Sequence, residues 1–257
     1  RAKAKKHAAT LKAKKTQLER VEKERVEKPR KELSPAFDVI NKNIIGRKFP
    51  RVLIQGKNLT KSFEQKEILK NISFNIERKD KIAIIGANGS GKTTFLKTIC
   101  GFYDDYSGTL RVGPSVNMAY FSQGLENLNY EATILDGVLT QGSTVQEARL
   151  LLACLLFRGD DVYKKIANLS MGEKSRVAFA KLILSGANLL VLDELTNYMD
   201  MESKEKVEEA LEEFQGSLIF VSHDRYFIKR LANRVFVIED KKLHCFDGGY
   251  EYYLSKI

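Results

Sequence analysis

Nine consecutive residues, Gly86-Ala87-Asn88-Gly89-Ser90-Gly91-Lys92-Thr93-Thr94, have the composition and spacing needed to hold a row of phosphates. They fit the pattern Gly-x-x-x-x-Gly-Lys-Ser/Thr, in which small residues let backbone N–H groups turn inward onto phosphate oxygens. Lys92 would reach the β and γ phosphates, and the Thr93 hydroxyl would sit on Mg²⁺. Such a loop needs a strand before it and a helix after it, because the helix N-terminus adds positive potential. Both are legible. Residues 81–85 form a short apolar run rich in β-branched residues, the pattern of a buried parallel strand. Phe95, Leu96 and Ile99 fall at helical spacing, and Gly101 can end that helix.

A second apolar run, Asn188-Leu189-Leu190-Val191-Leu192-Asp193-Glu194, ends in two carboxylates. It is either a strand leaving its sheet into solvent or a metal-and-water pair. A phosphate loop in the same chain favours the latter, with Asp193 on Mg²⁺ and Glu194 orienting or deprotonating the attacking water. A third run, Ser217-Leu218-Ile219-Phe220-Val221-Ser222-His223-Asp224, also ends at polar residues. A lone histidine after a strand is commonly structural. Three strands ending on one edge of an open α/β sheet make His223 a candidate contact to the γ-phosphate, since ligands bind at that edge. Gln123 follows the run from Val116 to Ser122 and is either an ordinary polar strand end or a group near Mg²⁺ and the nucleophilic water. Phe63 precedes the alternation from Ile68 to Ile76 and is either core or an aromatic plate for adenine. Leu169-Ser170-Met171-Gly172-Glu173-Lys174-Ser175-Arg176 reads as a helix start, with Ser170 as N-cap and Glu173 completing a capping box.

The order of these features resembles an ABC nucleotide-binding domain over residues 52 to 257. In that family Leu169 to Arg176 corresponds to the signature motif. The resemblance implies that Ser170, Gly172 and Glu173 close over ATP held by a second ABC domain, and that Gln123 is the glutamine near the metal. Finer details resemble the ABC-F branch. Leu192-Asp193-Glu194-Leu195-Thr196-Asn197-Tyr198-Met199-Asp200 is similar to its LDEPTNHLD, and Ser222-His223-Asp224-Arg225-Tyr226-Phe227 to its SHDRxF. Phe246 to Leu254 is similar to its closing GxYxxYL segment. Met171 stands where the signature usually has its first Gly, Leu195 where Pro is usual, Tyr198 for His and Met199 for Leu. None of these changes removes a phosphate, metal or water ligand. The resemblance implies ATP and Mg²⁺ as cofactors, ATP hydrolysis dependent on the partner domain, and action on the ribosome as a translation factor or in protection against antibiotics. The competing readings are the ATPase subunit of a membrane transporter and a non-enzymatic scaffold. The intact set of Lys92, Asp193, Glu194 and His223 opposes the scaffold.

The charge distribution adds a second region. Of 43 Lys and Arg and 33 Asp and Glu, residues 1–50 hold 16 and 6, so the whole net charge of +10 lies there and the remainder is neutral. Residues 1–28 lack Pro and Gly and are rich in helix formers, which predicts a basic helical arm. Pro29 and Pro35 interrupt it, and residues 29–51 read as an extended connector lying on the domain. The arm is either a solvated spacer or a contact to a phosphate backbone. The resemblance points to the latter, because ABC-F proteins join two ATPase domains by a helical linker that reaches ribosomal RNA and tRNA. The chain begins at Arg1, and a longer protein with another ATPase domain ahead of it is expected. No apolar run is long enough to cross a membrane, no signal peptide is legible, and Cys100, Cys154 and Cys245 are scattered without metal or CxxC spacing. A cytoplasmic protein, with its cysteines as small core residues, is expected. The expected fold is α/β: a parallel-cored sheet, an antiparallel sheet from about 52–76 and 109–121, and a helical subdomain over about 132–185. An amphipathic helix should present Val207, Leu211 and Phe214 to the sheet.

Overall fold

A computed structural model describes residues 34–122 and 128–257. The basic arm expected over 1–28, the start of the connector and Gln123 lie outside the described residues. In chain order the first elements are α1 (Phe37–Asn41), β1 (Val52–Phe63), β2 (Lys66–Glu77), β3 (Lys81–Ile85), α2 (Lys92–Ile99), β4 (Tyr106–Val112) and β5 (Met118–Phe121). A helical stretch follows: α3 (Ile134–Val138), α4 (Val145–Cys154), two 3₁₀ turns and α5 (Met171–Leu184). The chain then alternates through β6 (Leu189–Asp193), α6 (Met201–Glu213), β7 (Ser217–Val221), α7 (Arg225–Leu231), β8 (Arg234–Glu239), β9 (Lys242–Phe246) and α8 (Tyr250–Leu254).

Among the described residues these strands make two sheets. One is antiparallel, with β1 between β2 and β4. The other has the order β5-β6-β7-β3-β8-β9 and is parallel except for the final β8–β9 pair. Every residue of β6 and β7 is buried, as expected of strands covered on both faces. Their alternation divides the core into two layers. Ala83, Leu190, Leu192, Leu218 and Phe220 face a cluster that includes Val177 and Phe179 of α5, Val207 and Leu211 of α6, and Phe214. Ile82, Ile84, Leu189, Val191, Ile219 and Val221 face Phe95, Leu96 and Ile99 of α2 and the inner side of the antiparallel sheet. The parallel sheet is therefore a middle layer whose strand ends are held from both sides.

Three expectations are corrected. Residues 118–121 do not extend the antiparallel sheet. They form β5, parallel to β6 at the edge of the central sheet. Asn188 decides this: its Oδ1 accepts from the Asn117 N–H (3.0 Å) and its Nδ2 donates to the Ser115 carbonyl (2.8 Å), so the chain before β5 is tied to the start of β6. The connector, in its described part, is not extended throughout. Ala36 and Ile40 are buried in the core, which requires the single helical turn α1. The Asn41 side chain then donates to the Glu213 carbonyl (3.0 Å) and accepts from the Gln215 N–H (2.8 Å). Finally, Cys245 is exposed, because β9 is an edge strand.

Candidate active site

Register brings the motifs to one level. Ile84 of β3 lies opposite Val221 of β7, and Val221 lies opposite Asp193 of β6. The loop 86–91, Glu194 and Ser222-His223 therefore leave the sheet side by side, at the carboxyl ends of parallel strands.

The glycine loop is shaped by close approach. A Cβ on Gly86 would lie 2.5 Å from the Ile238 carbonyl oxygen of β8, so only glycine passes there. Gly91 caps α2 at φ +107°, a conformation that glycine adopts without strain. Lys92 is buried and its Nζ donates to the carbonyls of Gly86 (2.9 Å) and Ala87 (3.0 Å), which curls the lysine over its own loop. Ser90 Oγ is buried with no hydrogen-bond partner among the described residues. A buried, unpartnered hydroxyl at a helix N-terminus is matched by an anionic oxygen, so the loop fits a phosphate group. Asn88, Gly89 and Thr94 lie on the same loop and first turn, with Gly89 at φ +78°.

Beside the loop, Asp193 accepts a hydrogen bond from the Tyr120 hydroxyl (3.2 Å), and the Thr93 hydroxyl is the neighbour that most favours its charged form. Burial, with the adjacent Glu194 charge, holds the Asp193 carboxyl above its ordinary range, and the Thr93 and Tyr120 hydroxyls oppose that rise. A half-dehydrated carboxylate next to a hydroxyl suits a hard divalent cation. Glu194 has its backbone in the left-handed region, φ 55°, and its N–H donates to Val221 O (3.2 Å). That turn aims the carboxylate along the sheet edge. Oε1 lies 3.3 Å from His223 Nε2, and Oε2 accepts from the Asn197 amide. A carboxylate held by an amide on one side and an imidazole on the other can receive a proton from a water between them.

Phe63 closes β1 at the hairpin, opposite Lys66. Phe63 is 38% exposed and belongs to neither core cluster; its ring and that of Tyr103 pack edge to face, with centroids 5.2 Å apart. Ser170, Gly172 and Glu173 form a separate group at the start of α5. Ser170 N–H donates to Glu173 Oε2 (2.8 Å) and Glu173 N–H to Ser170 Oγ (3.2 Å), the reciprocal capping box. Burial pushes the Glu173 carboxyl up, but the bonds from Ser170 and the charge of Arg176 prevail and bring it below its usual range. A Cβ on Gly172 would meet Tyr198 O at 2.7 Å, so the helix start packs directly on the loop that leaves Glu194. Met171 and Tyr198, on either side of that contact, are exposed. Tyr120 and the Lys61 beneath Phe63 were not picked out by motif, because their partners are distant in sequence. Asn197 stands within the run from Leu192 to Asp200, but its contact with Glu194 was not read from it.

A family model described as ABC transporter matches residues 69–197, and the chain belongs to that family of ATP-binding domains. It is 42% identical over 210 residues to ABC transporter F family member 5 of Arabidopsis thaliana, taking in 80% of this chain and 30% of that protein. It is 35% identical over 244 residues to the ribosome protection protein VmlR of Bacillus subtilis (strain 168), taking in 93% of this chain and 43% of that protein. The ABC-F resemblance read from the motifs is thus matched by relatives. The chain spans less than half the length of these relatives. Among solved structures, the ATP-binding cassette MJ0796, described as dimeric, post-hydrolysis and bound to ADP and Pi, is similar with a TM-score of 0.65 and 21% identity over 76% of this chain and 98% of that one, which shows the fold alone. Among the described residues no helix is long and apolar enough to cross a membrane.

Proposed function

We propose that this chain is the ATP-hydrolysing half of a twin-domain ABC-F protein that acts on the ribosome from the cytoplasm. The observation that carries the ATPase part is the convergence of Lys92, Thr93, Asp193, Glu194 and His223 on one sheet edge, with the unpartnered Ser90 hydroxyl among them. The loop amides and Lys92 hold the β and γ phosphates, and Phe63 offers its open face to adenine. Thr93 and Asp193, with Gln123, hold Mg²⁺, which when bound neutralises phosphate charge. Glu194 orients the attacking water and takes its proton, and His223 meets the γ-phosphate. Ser170, Gly172 and Glu173 face the nucleotide of a second ABC domain. Closure of the two domains is driven only by ATP favouring the closed state over the open one.

The ribosomal part is supported by the 35% identity that VmlR shares with 93% of this chain and by the basic charge concentrated in residues 1–50. The test of chemistry is Glu194→Gln in the intact protein. ATP binding should persist while hydrolysis slows by about 10²-fold or more, the usual contribution of a general base; unchanged phosphate release removes Glu194 from the role. Cosedimentation of that variant with ribosomes in the presence of ATP tests the target, and partition to membranes instead would favour a transporter subunit.

A further inference from the structure

Beneath Phe63 lies a charged side chain that the nucleotide reading leaves unused. Lys61, two residues earlier on β1, is 0% exposed. Its ammonium forms an ion pair with Asp105 Oδ1 (2.6 Å) and donates to the carbonyls of Ser62 (3.0 Å) and Asp105 (3.3 Å). It also lies 4.1 Å from the centroid of the Phe63 ring and 5.0 Å from that of Tyr103. Full burial of a lysine carries a desolvation cost that a leucine or methionine of similar volume avoids. The charge therefore needs a use that packing alone does not provide. A cation held against one face of an aromatic ring draws the ring's π density inward. The opposite face is left poorer in electrons and a better stacking partner for an electron-rich purine. The ion pair with Asp105 ties the start of β4 to the end of β1, so the same contact fixes the tilt of the ring.

We propose that Lys61 is a positioning residue for the nucleobase: anchored by Asp105, it orients and polarises Phe63 from below so that the open face of the ring receives a purine. This rests on the reading of Phe63 as the base plate. The test compares binding of Mg-ATP and of Mg-tripolyphosphate, which has the phosphates without the base, by calorimetry on the intact protein. Lys61→Met should weaken ATP about fivefold, the scale of an oriented aromatic stacking contact made only in the bound state, and leave tripolyphosphate unchanged. Lys61→Arg should recover most of the loss. Asp105→Asn, at a side chain 68% exposed and so tolerant of substitution, should weaken ATP in the same selective way and carries the test if Lys61→Met does not fold. Phe63→Ala separates the two readings. If it leaves ATP affinity unchanged, the base-plate reading fails and Lys61 with it. If it weakens ATP while Lys61→Met and Asp105→Asn do not, only the Lys61 proposal is overturned. Equal loss for ATP and tripolyphosphate in Lys61→Met would make Lys61 a packing residue and overturn the proposal as well.

Discussion

Arg230 ties together the two helices that flank the strand leading to His223, and removing it gives a loss whose size and pH dependence both follow from the contacts. Its Nη1 is 2.7 Å from Glu208 Oε2 and its Nη2 is 2.9 Å from Glu212 Oε2. The Arg230 and Glu208 side chains are 15% and 8% exposed, and Glu212 is 30% exposed. Arg230→Met keeps much of the aliphatic volume and deletes the charge. Stripping one partner from a fully buried pair costs about 3–5 kcal/mol, and the more open Glu212 arm contributes no more than about 1 kcal/mol. Because α7 lies near the surface and Glu208 can take up a proton, the expected loss is about 2–3 kcal/mol near neutral pH. For a domain of this size that lowers the melting temperature by about 5–10 °C. Burial pushes the Glu208 carboxyl up and Arg230 opposes that rise; without Arg230 it climbs further. A carboxyl with a raised folded-state pKa contributes stability that is present at low pH and lost as pH rises through that pKa. The gap between variant and wild type should therefore be widest where Glu208 is ionised in both proteins and narrow as pH falls through its raised folded-state range. Melts followed by circular dichroism across this range read it directly. Adding Glu208→Leu to Arg230→Met should restore most of the loss, since an apolar replacement removes the stranded charge. A shift under about 2 °C, or a gap that stays constant as pH falls, would show that Arg230 does not hold the Glu208 charge in this way.

Other outcomes follow from single contacts. Gly172→Ala places a methyl group 2.7 Å from Tyr198 O, so the loop after Glu194 must move. Turnover by the intact protein should fall more than ATP affinity, with a stability loss of about 1–3 kcal/mol; unaltered turnover would show that the helix start and this loop are uncoupled. Asn188→Ala strands the Asn117 N–H and the Ser115 carbonyl and should cost about 2–3 kcal/mol, read as a lower melting temperature, whereas no change would free β5 from that anchor. If the signature residues serve a partner's nucleotide, the isolated chain should hydrolyse ATP weakly as a monomer; strong turnover by a species shown monomeric in sedimentation contradicts that arrangement.

The motifs on the parallel sheet were legible because their causes are local. A strand, a glycine loop and a helix stand consecutively between residues 81 and 99, and the runs of β6 and β7 are apolar throughout because both faces are covered. What the sequence withheld depends on distant partners. Met118-Ala119-Tyr120-Phe121 suits an edge strand of either sheet, and Asn188 makes the choice. A lysine in an alternating strand reads as solvated, and Lys61 is buried only because Asp105 and two rings surround it. The turn α1 is too short to show a helical period and is held by Glu213 and Gln215 at the far end of α6. The closeness of Tyr120 to Asp193 could not be read without knowing that β5 lies beside β6.

The strand order also governs when the site can exist during synthesis. The glycine loop hangs from β3, and the sheet neighbours of β3 are β7 and β8. As the chain emerges, β1, β2 and β4 can pair with one another early. By contrast, β3 ends at Ile85 and must wait until Ser217 has been made before it finds its first partner. At ordinary elongation rates this leaves the loop-bearing strand with two open edges for on the order of 10 s. The candidate site is then completed by a late insertion of β7 between β6 and β3, both already made, and a nascent chain stalled before residue 217 holds every residue of the loop 86–94 on a strand that still lacks both its sheet neighbours.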